Sequence, residues 1–310
     1  MPATRRALLA VPWASLNAAV AQERPGAGAV FLDMGQAALD RAYDQSAWAP
    51  NAATVVARYT VDSEAARAAH RFRTEAYGPT DAEQLQFFTP AGIRPAAGWP
   101  LLVFLHGGAW LRLTLVDSAA PAPAALGMGA AFCAVGFANA AAVGVAGMAA
   151  QVRRAVEWVL AHADELHVDA GRIVLSGHSS GAHLAACLLT SGWPQPYPFA
   201  GAALVSGTYD LYPVLLSSRR SYMKMSEAEA VDLSPIRNLR RLSCPVALAR
   251  GDRESPEFQR QTDVFGAALA GMGRLLNQRV LPGRNHFEAA EALANPASPV
   301  NADLRTLLGV

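Results

Sequence analysis

Short apolar runs alternating with amphipathic segments predict an α/β fold: a mostly parallel sheet covered by helices on both faces. Three observations carry this. Apolar Arg172–Ser176 runs into Gly177-His178-Ser179-Ser180-Gly181 and then the helix-like Ala182–Leu189. Leu101–Leu105 is a continuous apolar strand ending at His106-Gly107-Gly108. Between them, Met148–His162 sets Val152, Val156, Val159 and Leu160 on one stripe with Arg153, Arg154 and Glu157 off it, the periodicity of a crossover helix.

In chain order, Leu39–His70 reads as a helical lead-in near the mouth of the site, interrupted at Ala49-Pro50-Asn51. Leu85–Phe88 is the first expected strand, followed by Leu101–Leu105 and Ala131–Phe137. Ile173–Leu175 and Ala202–Val205 come next, then Pro245–Ala249 and Arg274–Leu281. Between Ala202–Val205 and Pro245–Ala249, the stretch 209–231 lacks strand pattern and reads as a small lid. The expected division is 1–38 as an N-terminal arm or signal-like segment and 39–310 as a single domain.

The pattern G-x-S-x-G gains meaning from its strand–turn–helix context, where flanking glycines relieve crowding at a strained serine. Ser179 is therefore the candidate nucleophile, expected to stand exposed above the sheet. Backbone N–H groups of Gly107, Gly108 and Ser180 are the candidate oxyanion donors, each typically worth about 3 kcal/mol. The base is expected in the loop after the last strand, which selects His286. For the acid two carboxylates compete after Pro245–Ala249: spacing from Gly251 favours Glu254, and Asp252 is the reserve. Trp110, Tyr209, Tyr222 and Phe287 flank these loops and are candidate pocket rings. His183 reads as packed, and His178 as lining the turn without taking a proton.

Composition narrows the partners. A formal net charge of +1 provides no field to attract nucleic acid, and the 52% hydrophobic, 16% charged chain suits a compact protein acting on a small molecule, with no membrane partner and homodimerisation open. Cys133, Cys187 and Cys244 are odd in number, widely spaced and set in apolar stretches, so buried thiols are expected. His162, Asp164, His167 and Asp169 follow no ligand spacing and read as a solvated helix end; no metal or cofactor is implied. Arg5-Arg6 followed by mainly apolar Ala7–Val20 has the outline of a secretory signal, weakened by Pro12, Trp13 and Asn17. The expected location is cytoplasmic, with export as the alternative.

Taken together, His106–Trp110, Gly177–Leu184, Ser206–Pro213, Leu233–Arg237, Glu254–Gln261 and Asn285–Phe287 resemble the kynurenine formamidase (arylformamidase) branch of the α/β-hydrolases, near the hormone-sensitive-lipase-like esterases. The resemblance spans about Leu39 to His286. It implies an α/β-hydrolase fold, a serine hydrolase cleaving an aryl formamide through an acyl-enzyme on Ser179, and the residue before Ser255-Pro256-Glu257-Phe258 as triad acid. That residue is Glu254, where the family often has Asp. The chain departs from the family at alanine-rich Gly136–Val143, expected in the pocket wall, which leaves another small ester, amide or carbamate as the alternative substrate. An inactive hydrolase fold serving as a binding module is the remote alternative.

Overall fold

The computed structural model describes residues 28–310. Of the expected arm or signal-like segment 1–38, residues 1–27 lie outside them. Among the described residues eight strands form one sheet: β1 (Phe72–Ala76), β2 (Gln84–Phe88), β3 (Trp99–Leu105), β4 (Ala131–Val135), β5 (Val168–His178), β6 (Phe199–Val205), β7 (Val246–Gly251) and β8 (Leu275–Leu281). Their spatial order is β1-β2-β4-β3-β5-β6-β7-β8. β2 pairs antiparallel with both β1 and β4, and every other neighbour is parallel.

β3 shows why a continuous apolar run suits this sheet. Its Leu101, Val103 and Leu105 face one buried cluster, while Leu102 and Phe104 face the other, so helices must cover both sides. The crossover helix is longer than its apolar stripe indicates, Ala140–Ala161, and Gly144 breaks it with φ 70°. β1 was not anticipated: it has an intermediate-to-exposed side-chain pattern and lies at the sheet edge, where few apolar residues are needed. The lead-in forms helices Gln36–Tyr43 and Ala52–Ala69 around a single 3₁₀ turn, with the break at the expected place. The expected lid is three short helices, Tyr212–Leu216, Arg220–Met223 and Glu227–Asp232.

Register brings the functional loops together. Leu105 is opposite Gly177, His178 opposite Val205, Val205 opposite Ala249 and Gly251 opposite Leu281. The carboxyl ends of β3, β5, β6, β7 and β8 therefore share one rim, where open α/β sheets place their ligands. The three cysteines are buried and free, and burial pushes the Cys133 thiol up to about 12. Among the described residues no cluster of metal-ligating side chains occurs, and no helix is long and apolar enough to cross a membrane.

Candidate active site

Ser179 follows β5 with φ 55° and ψ −124°, a backbone state that costs a non-glycine residue on the order of 1–3 kcal/mol. The turn is tight because both flanking glycines admit backbone where a methyl would collide. A Cβ on Gly177 would meet the Gly181 carbonyl carbon at 2.6 Å, and one on Gly181 would meet the Leu105 oxygen at 2.0 Å. The Ser179 N–H donates to the Val205 carbonyl at 2.9 Å, tying the turn to the end of β6. Contrary to the expectation of exposure, Ser179 is only 4% accessible; it is reached through a cavity.

His286 Nε2 lies 3.0 Å from Ser179 Oγ, and His286 Nδ1 lies 3.1 Å from Glu254 Oε2. All three groups are buried. The second carboxylate oxygen, Glu254 Oε1, accepts from Ser206 Oγ and from the Gly251 N–H, each at 2.6 Å. These bonds fix the carboxylate, which in turn holds Nδ1 protonated and leaves Nε2 free to accept from the serine. Asp252, the reserve, is exposed on the outer side of the turn; its N–H joins the Leu281 carbonyl, and its side chain is not brought to His286.

The sequence Ser255-Pro256-Glu257-Phe258 has a direct physical reading. Ser255 caps the helix Pro256–Gly271 by accepting from the Phe258 N–H, and Pro256 occupies a first-turn position where no donor is needed. Phe258 then sets its ring edge-on against His286, centroids 4.7 Å apart. Asn285 caps the short helix His286–Ala290 in a reciprocal box with Glu288. Its amide also donates to Asn51 at 2.8 Å, and Tyr59 donates to the Phe287 carbonyl at 2.5 Å. The lead-in helix Ala52–Ala69 thus pins the loop that carries the histidine.

Opposite the serine, the loop after β3 departs from ordinary backbone for three residues: Gly108 has φ 110°, Ala109 57° and Trp110 59°. A Cβ on Gly107 would come 3.2 Å from Ser179 Cβ, so this backbone runs alongside the serine. Gly108 cannot be substituted without strain, since a Cβ there would lie 1.8 Å from the Arg112 carbonyl oxygen. The Ser180 N–H is the first of its helix and has no partner within it. The N–H groups of Gly107, Gly108 and Ser180 therefore belong to the two segments flanking Ser179.

A cavity of about 490 Å³ opens onto Ser179 and His286 and is lined by Tyr222 and Phe287 among the expected rings. Trp110 and Tyr209 are not in its wall. Trp110 is buried and donates to His183 Nδ1 at 3.1 Å, while Tyr209 is fully buried and stacked on Phe265 at 4.0 Å. Their position beside functional loops led to an expectation of substrate contact, but the loops turn these rings inward. The Gly136–Val143 segment is likewise absent from the cavity wall; Phe137 stacks on His106, and Ala140 donates to the Trp110 carbonyl. Lead-in and lid residues supply the wall instead, including Tyr43, Tyr59 and Arg219, along with Arg112 from the loop after β3.

His178 and His183 behave as expected. His178 Nε2 meets the His286 carbonyl at 2.8 Å, and burial, reinforced by the neighbouring His286, holds its imidazole well below the usual range. His183 Nε2 meets the Leu233 carbonyl at 2.8 Å, and burial holds it down to about 4. Both are neutral structural groups. Ser206 and the lead-in residues were not picked out as site residues; Ser206-Gly207-Thr208 at a strand end was the available signal.

The BD-FAE family model matches residues 85–196. Kynurenine formamidase of Danio rerio is 32% identical over 280 residues, covering 86% of this chain and 94% of its own. A solved structure from Silicibacter sp. TM1040, provisionally described as a thioesterase, is 28% identical with TM-score 0.75 and covers 88% of this chain and 99% of its own. Esterase B from Lactobacillus rhamnosis shares the fold at TM-score 0.64 and 16% identity, covering 86% of this chain and 94% of its own. The extent and level of the first match establish that this chain belongs to the kynurenine formamidase family of α/β-hydrolases.

Proposed function

We propose that the protein is a serine hydrolase that cleaves a small aryl formamide such as N-formyl-kynurenine. The observation that carries this reading is the buried relay Ser179–His286–Glu254, with contacts of 3.0 and 3.1 Å, in a chain 32% identical to a kynurenine formamidase. Ser179 Oγ attacks the formyl carbon while His286 Nε2 takes its proton. The resulting oxyanion is held by the N–H groups of Gly107, Gly108 and Ser180. Collapse breaks the carbon–nitrogen bond, and His286 returns the proton to the departing aryl amine. Water, deprotonated by the same imidazole, attacks the formyl ester and releases formate and free Ser179. Glu254 keeps the imidazole tautomer and stabilises the imidazolium.

A broader carboxylesterase or amidase is the second reading, favoured by a cavity of about 490 Å³, far more than a formyl group fills. Turnover of N-formyl-kynurenine against that of short p-nitrophenyl esters separates the two. We expect the formamide to have the higher kcat/KM; formamide cleavage at background with brisk ester cleavage would reject the first reading. Mass labelling of the Ser179 peptide by a fluorophosphonate tests the nucleophile itself.

A further inference from the structure

Arg219 lies in the lid, between two of its short helices, and forms part of the wall of the Ser179 cavity. Its surroundings do not balance its charge. The guanidinium sits 5.6 Å from the ring centre of Tyr43, 5.7 Å from Trp110 and 5.8 Å from Phe258, and one nitrogen, Nη2, donates to the Tyr43 carbonyl. The other, Nη1, is buried with no hydrogen-bond partner. Among the described residues no carboxylate forms an ion pair with it.

A second cation faces the same cavity. Arg112 lines it from the loop after β3; burial chiefly lowers the affinity of Arg219 for its proton, nearby Asp44 raises it, and Arg112 lowers it further. Among the described residues Asp44 is the one carboxylate in that wall, and its Oδ1 already accepts from the N–H and hydroxyl of Ser46. Removing a guanidinium from water onto ring faces is costly unless an anion completes its hydrogen bonds, and the planar arginine fork suits the two oxygens of a carboxylate. The cavity wall thus offers Arg219 no bonded carboxylate.

We propose that Arg219, assisted by Arg112, binds a carboxylate carried by the leaving group of the substrate, so that the enzyme selects anionic aryl substrates over neutral ones. The inference rests on the reading of Ser179 as nucleophile but not on the formamide being the preferred bond. A formyl group has no room for a charged substituent, so in a formamide the anion must lie on the amine side. Fixing it there orients the carbonyl toward Ser179, an effect that belongs mainly to KM.

The test uses two matched pairs: phenyl acetate with 3-acetoxybenzoate, and formanilide with 3-formamidobenzoate. The quantity read is the ratio of kcat/KM for the anionic over the neutral member, so a general loss of activity does not confuse it. We expect a ratio of about 10–100 in the wild type, a size consistent with one charge-assisted hydrogen-bonded contact. It should arise through KM, shrink at 0.5 M NaCl, fall close to 1 in Arg219→Met and fall partway in Arg112→Gln. A wild-type ratio near 1, or one unchanged in Arg219→Met, overturns the proposal. If Arg219→Met does not fold, competition on the wild type decides: benzoate must inhibit more strongly than benzamide, and equal inhibition overturns the proposal. Failure to cleave either formamide while the ester pair keeps its ratio rejects the formamidase reading and leaves the anion site standing; cleavage of both pairs at ratios near 1 does the reverse.

Discussion

Glu254 and Asp252 are two residues apart, yet only Glu254 turns inward, where Ser206 and the Gly251 N–H take one oxygen and His286 Nδ1 takes the other. Replacing it with an amide removes the charge that stabilises the imidazolium and invites the wrong tautomer. Glu254→Gln should therefore lower kcat by about 10³–10⁴-fold, whereas Asp252→Asn should stay within a few-fold of wild type. Steady-state kinetics on one good ester substrate measures both, and the reverse ranking would reassign the acid. Gly108 makes a separate demand. At φ 110°, with the Arg112 carbonyl where a Cβ would be, Gly108→Ala must displace the loop beside Ser179. A shift there misaims an oxyanion donor, which should cost about 10²–10³-fold in kcat with KM little changed. A loss confined to KM would mean that this loop shapes binding and not the oxyanion.

Elements divide the work differently from what linear order suggests. The strand ends carry Ser179, Glu254 and His286, but the histidine loop is held from outside the sheet, by Tyr59 on the helix Ala52–Ala69 and by the Asn51–Asn285 contact. Tyr59→Phe deletes a partly buried bond to the Phe287 carbonyl, so thermal unfolding should register a loss of about 1 kcal/mol. Because that carbonyl adjoins His286, kcat should also fall several-fold; a stability loss with unaltered turnover would show that the helix braces the loop without positioning the base. This division also explains what could be read from the sequence. Gly177–Gly181, Gly107-Gly108, Glu254 and His286 were legible because each obeys a local rule of turn, spacing or order that holds regardless of its neighbours. β1 was not, since an edge strand with an exposed face has no apolar alternation to betray it. Trp110 and Tyr209 were not, because whether a side chain next to a functional loop faces core or cavity depends on a partner remote in sequence: His183 for the first and Phe265 for the second.

The molecule as a whole stores neutral imidazoles in its interior. Burial holds His106 and His183 down to about 4, and His178 well below its ordinary range of 6.5. Each has a reason to stay neutral: His106 is stacked on Phe137 with Nε2 unpartnered, His183 accepts from Trp110, and His178 lies against His286 with ring centres 4.7 Å apart. In the unfolded chain all three take up protons near pH 6.5. Below that pH the unfolded state binds more protons than the folded one, so stability contributed by these groups is complete above about pH 6.5 and is lost as pH falls toward 4. Each histidine adds at most about 1.4 kcal/mol per pH unit, and three together about 4. Carboxylates held low by hydrogen bonds, such as Glu229 beside Ser226, act in a lower window, below their ordinary 4.5. The melting temperature should accordingly be nearly level from pH 8 to 6.5 and then drop steeply as the pH falls further. His183→Gln, which can still accept from Trp110 and donate to the Leu233 carbonyl, should lower the melting temperature at pH 8 yet flatten its fall between pH 6.5 and 5 by about a third, one proton of three. A melting temperature that holds level down to pH 5 in the wild type would show that these imidazoles are protonated in the folded protein.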